Sequence, residues 1–108
     1  MSTTAIPSWM TLTADRVTVK LTVPSEANGV RVDTLSLRTP TVRDLRIARQ
    51  TAPNDEEQQD LNLFASLAEV GTKDLDVLTL KDFNRIQAGY FRLVREDELQ
   101  PEGAEATG

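Results

Sequence analysis

The chain contains no cysteine and no histidine. The first absence excludes disulfides and thiolate chemistry; the second removes the usual metal ligand and the usual general base near neutral pH. Aromatics are scarce at 5%: Trp9, Phe64, Phe83, Tyr90 and Phe91 are the whole set. At 108 residues the chain fits one small domain with a thin, mostly aliphatic core. No 18-residue apolar run and no basic-then-apolar leader occurs, which predicts neither a membrane span nor a signal peptide and places the chain in the cytosol where it is made. The five glycines are scattered, so there is no phosphate-cradling loop, nucleophile elbow or calcium loop. Asp74 with Asp76, and Glu96, Asp97 and Glu98, fall on a connector and a tail, where solvated charge is the reading rather than a metal site. No catalytic residue, metal ligand or cofactor site is predicted, and the chain reads as a non-enzyme.

What is present is charge, unevenly spread. Residues 1–53 carry seven basic and four acidic side chains, and residues 54–108 carry five and thirteen, so a net −5 divides into +3 and −8. An acidic whole argues against a nucleic-acid partner, although Arg43, Arg46 and Arg49 keep a local basic surface, either a solvated helix face or a binding patch.

Residues 1–14, small, polar and broken by Pro7, read as a flexible leader with Trp9 free to pack. In "RVTVKLTVP" the residues Val17, Val19, Leu21 and Val23 alternate with Arg16, Thr18, Lys20 and Thr22, the period of a half-buried strand. Asn28-Gly29 marks a hairpin turn. On the returning strand Val30 and Val32 have one parity and Leu35 and Leu37 the other, which predicts a bulge or twist near Asp33 and Thr34. Pro40 stops this strand, and Thr41 with Asp44 caps a helix with Val42, Leu45 and Ala48 on one face. A second helix over 55–70 is predicted, with Asn54 as cap, a stripe of Leu61, Phe64, Leu67 and Ala68, and a stop at Gly71. After a connector, "TKDLDVL", Thr79 and Asp82 cap a third helix, where Leu80, Phe83, Ile86, Tyr90, Phe91 and Val94 recur at helical spacing. From residue 97 the acidic tail is read as mobile. The expected fold is therefore α+β, an N-terminal antiparallel hairpin followed by about three helices, in one domain over 15–96.

The apolar stripes of the second and third helices serve either as core or in part as a groove for another helix. A two-stranded hairpin is marginal alone and leaves open edges, so helix packing, an added strand or self-association must complete it.

The order of these features, a strand ending Val-Pro, a second ending "LSLRTP", an immediate "TVRDL" helix start, then "LNLFASLAEVG" and "DVLTLKDFNRIQAGY", resembles the phage tail assembly chaperones of the Mu-like and P2-like type over about residues 16–95. The resemblance implies a non-enzymatic protein of the bacterial host cytoplasm, absent from the mature virion. It implies binding to the tape measure protein, kept soluble until the tail tube forms, with the tail tube protein as a further contact; self-association through the hairpin edge is the expectation from the open edges themselves. Leu61, Phe64, Leu67, Phe83, Ile86 and Tyr90 are the candidate partner-binding residues. The alternative is a structural tail or head-completion protein retained in the particle.

Overall fold

The computed structural model describes residues 6–95; the expected mobile tail, 97–108, and the first five residues of the expected leader lie outside the described residues. Three strands, β1 (Met10–Leu12), β2 (Arg16–Ala27) and β3 (Val30–Arg38), precede four helices, α1 (Val42–Thr51), α2 (Glu56–Ala68), α3 (Thr72–Asp76) and α4 (Leu80–Val94). The architecture is α+β, as the sequence predicts. The sheet is antiparallel in the order β1-β2-β3.

The leader differs from expectation. Met10 to Leu12 pair with Val19 to Val17, adding a strand to the hairpin. Met10 supplies a buried side chain, a turn closes where the Thr13 amide donates to the Arg16 carbonyl, and the Lys20 amide donates to the Trp9 carbonyl. The Trp9 ring is covered by the Arg85 guanidinium at 4.7 Å.

The hairpin turn is as predicted, with Asn28 (φ 55°) and Gly29 (φ 79°) both at positive φ. The irregularity is also where parity puts it, but on the other strand. Lys20 pairs with Thr34 and Ser25 with Val32, so residues 21–24 of β2 face Asp33 alone. The strand thus runs through Val23-Pro24 to Ala27 instead of ending there; Pro24 sits in the bulge, where no ladder amide is required.

Helices cover one face of the sheet. Val17, Val19 and Leu37 are fully buried, with Leu21 and Leu35 nearly so, against Leu67 and Ile86. The opposite face carries Arg16, Lys20 and the Thr18–Ser36 hydroxyl pair at 2.8 Å. Gly89 brings α4 close to β2: a Cβ there would lie 3.0 Å from Val19 Cγ2.

Helix α1 begins with the predicted capping box of Thr41 and Asp44, yet Val42 is 75% exposed and the helix buries Ala48. The cap of α2 is Asp55, not Asn54: its carboxylate accepts from the Gln58 amide at 3.1 Å, while Asn54 takes a left-handed φ of 69° in the preceding turn. Helix α2 ends at Ala68, before the predicted stop, because Glu69 adopts a left-handed φ of 61° with its amide on the Ala65 and Ser66 carbonyls. The connector contains a fourth helix, α3, whose Asp74 carboxylate accepts from the Gly71 amide (3.1 Å) and from the Asn28 amide of the hairpin turn (3.2 Å). Asn28 Nδ2 donates to the Glu69 carbonyl at 3.0 Å. The hairpin turn is thereby pinned to the α2–α3 corner.

Candidate protein-binding site

The six side chains read from the sequence separate into two groups. Phe64, Leu67 and Ile86 are 3%, 1% and 0% exposed and belong to the core. Leu61, Phe83 and Tyr90 are half-buried at its margin. Phe64 is the hub that joins the groups, with its ring 5.8 Å from Phe83 and 5.1 Å from Tyr90. Tyr90 in turn lies 5.6 Å from Phe91, which is 55% exposed. Burial pushes the Tyr90 phenol above its ordinary pKa, Asp60 adds to this, and Arg49 opposes it.

The first turn of α4 is set by a group that sequence reasoning treated only as a cap. Asp82 is fully buried. Its amide donates to Thr79 Oγ1, and its carboxylate accepts from the Thr22 amide (2.7 Å), the Thr22 hydroxyl (2.9 Å) and the Val23 amide (3.2 Å). Burial opposes ionisation, but these donors outweigh it and hold the carboxyl below its usual pKa. The bulge in β2 and the start of α4 therefore lock together.

That lock orients the cleft. At about 100° per residue, Leu80 lies roughly 200° around the helix from Asp82 and on the same side as Phe83. With Asp82 turned to the sheet, Leu80 is turned outward and is 75% exposed. Leu80 and Phe83 form one wall of a cleft of about 210 Å³ whose other walls are Leu61 of α2 and Leu75 and Leu78 at α3, with Glu57 and Asp76 at the rim. Of the six predicted residues, only Leu61 and Phe83 line this cleft; Tyr90 lies along α4 in the aromatic cluster. Leu75 and Leu78, which also line the cleft, lie in the segment whose sequence reads as a connector. Their spacing of three was the available signal.

An apolar cleft with an acidic rim can take an aliphatic or aromatic anchor with basic neighbours. A second surface, on α1, has Arg43, Arg46 and Gln50 around Ile47, which is 53% exposed. Among the described residues no cluster of side chains has the make-up of a metal site, and no helix is long and apolar enough to cross a membrane.

A family model described as phage tail assembly chaperone proteins, E, or 41 or 14, matches residues 18–95. The chain belongs to the phage tail assembly chaperone family. The match begins inside β2 and runs one residue past α4, so it takes in the bulge, the Asp82 lock and every residue of the cleft. No curated protein and no solved structure matched the chain. The role of this chaperone is in tail assembly, through protein partners.

Proposed function

We propose that this chaperone binds the phage tape measure protein through the cleft between α2, α3 and α4, and keeps it soluble until the tail tube assembles around it. The work is binding without catalysis, in the host cytoplasm, and the chaperone leaves before the virion is complete. The observation that carries the reading is the outward placement of Leu80 beside Phe83, Leu61 and Leu78, a contiguous apolar surface that the fold leaves uncovered. The carboxylates of Glu57 and Asp76 favour basic side chains flanking the client's anchor.

The test is co-expression with the tape measure protein followed by affinity purification through the chaperone. Leu80→Asp is expected to abolish client recovery while the melt stays near wild type, because the site is exposed; losing an apolar anchor of this kind costs about 2 kcal/mol or more of binding. Charge reversal at Arg43 and Arg46 is expected to leave recovery unchanged. Full recovery with Leu80→Asp rules out the cleft, and loss from the arginine pair alone with the fold intact moves the client to α1. Peptide mass spectrometry of purified virions is expected to lack the chain; its presence there would favour a structural tail component.

A further inference from the structure

The sheet has two edges, and the fold treats them differently. On the β1 side, β1 covers residues 17–19 of β2, the Trp9 carbonyl takes the Lys20 amide, and Asp82 takes the amides of Thr22 and Val23. On that side the sheet ends in a strand of only three residues. On the other side β3 pairs only with β2, and among the described residues no hydrogen bond joins its outer edge to another element. The bulge does not blunt it, since the extra residues are on β2 and β3 runs unbroken over nine residues. An open, regular edge strand is a template for another strand.

Charge on β3 suits a second copy of the same strand. A two-fold axis between antiparallel strands stands perpendicular to the sheet and keeps each side chain on its own face, so β3 can meet a second β3 only with some residue opposite itself. Centred on Arg31 the pairing sets arginine against arginine, and centred on Asp33 it sets aspartate against aspartate. Centred on Thr34, the middle of the strand, it sets Arg31 opposite Leu37 and Asp33 opposite Leu35; centred on Val32 it sets Arg31 opposite Asp33 twice, with Val30 opposite Thr34. Arg31 and Asp33 are both exposed. Arg31 faces Glu26 across the hairpin but forms no salt bridge with it; among the described residues the salt bridge is that of Arg38 with Asp44.

We propose that the chaperone forms a two-fold dimer by antiparallel pairing of β3 with β3 of a second copy, centred on Val32 and fixed by reciprocal Arg31–Asp33 pairs. Two three-stranded sheets become one, with the helices of both copies on the same face. The dimer does not depend on which client the cleft takes.

Sedimentation of the full chain tests this. Wild type is expected to run at twice the 12.0 kDa chain mass as concentration rises through the micromolar range. Asp33→Arg and Arg31→Asp are each expected to run as monomers with near wild-type melts. Arg31→Asp also faces Glu26, so Asp33→Arg is the cleaner variant. An equimolar mixture of the two single variants is expected to restore the doubled mass, because each supplies the charge the other lacks, and the double variant Arg31→Asp/Asp33→Arg is expected to dimerise alone. The proposal is overturned if wild type stays monomeric, including the case in which the edge instead takes a strand of the client. It is also overturned if the single variants dimerise as wild type does, or if their mixture stays monomeric.

Discussion

At the residue scale the decisive side chain is Asp82. It is the one fully buried charged group among the described residues, and its acceptors meet three donors on β2. Asp82→Ala strands the Thr22 and Val23 amides and is expected to cost about 2–4 kcal/mol, read from urea unfolding. Hydrogen exchange at Thr22 and Val23 should accelerate at the same time; an unchanged midpoint would show that water replaces the carboxylate at no cost. Gly89 poses the opposite question. In a helix interior Gly→Ala gains about 1 kcal/mol, whereas overpacking costs about 1–3 kcal/mol. The methyl would meet Val19 at 3.0 Å and both Val17 methyls at 3.4 Å, on a strand paired on both sides that cannot retreat. Gly89→Ala is therefore expected to lower the melting temperature by a few degrees; a raised one would mean that α4 slides on the sheet.

At the element scale the abrupt passage from β3 to α1 in "LRTPTVRDL" has a physical account. Pro40 ends the strand, and Arg38 reaches past it to grip Asp44 in a two-point pair, Nη1 to Oδ2 at 2.8 Å and Nη2 to Oδ1 at 3.0 Å. The same carboxylate accepts from the Thr41 amide at 2.8 Å. One side chain thus caps the helix and ties it to the strand, and the Arg38 guanidinium with the Thr41 amide holds the Asp44 carboxyl well below the usual carboxylate range. Arg38→Lys keeps the charge but loses the fork, so it is expected to loosen the angle between β3 and α1. In hydrogen exchange the first turn of α1 should open sooner while α4 is unaffected. Equal protection in both forms would show that the capping box alone fixes the helix.

At the scale of the whole molecule these two carboxylates are expected to set the acid limb of stability. Both have folded pKa values depressed below the unfolded value of about 3.9. Their contribution is present in full above that value and is lost as pH falls through the folded values. Tyr90 acts at the other end: its pKa is raised, so its contribution is present below the unfolded value of about 10 and is lost as pH rises past it. With no histidine to titrate between, the melting temperature is expected to be flat from about pH 5 to 9 and to fall on both sides. Asp82→Asn should flatten the acid limb; an acid limb as steep as wild type would place its origin in other carboxylates.

The sequence by itself determined the elements that rest on local chemistry. Alternation in "RVTVKLTV" made β2, Asn28-Gly29 made the turn, and Thr41 with Asp44 and Thr79 with Asp82 started α1 and α4, because each of these signals acts between residues within four positions. The change of parity in β3 announced the bulge, though not which strand carries it. What only the tertiary structure decided are the matters of reach. Met10–Leu12 becomes a strand because β2 offers an edge, and α3 forms because Asp74 meets both its own turn and the hairpin. Asp82 turns inward because the bulge supplies donors 60 positions away. The candidate site follows the same division. A stripe of Leu61, Phe64, Leu67, Phe83, Ile86 and Tyr90 was legible as apolar, but a helical stripe is wider than the surface that meets a sheet. Which side chains are buried and which line a cleft is fixed by the rotation of α4, and the Asp82 lock sets that rotation.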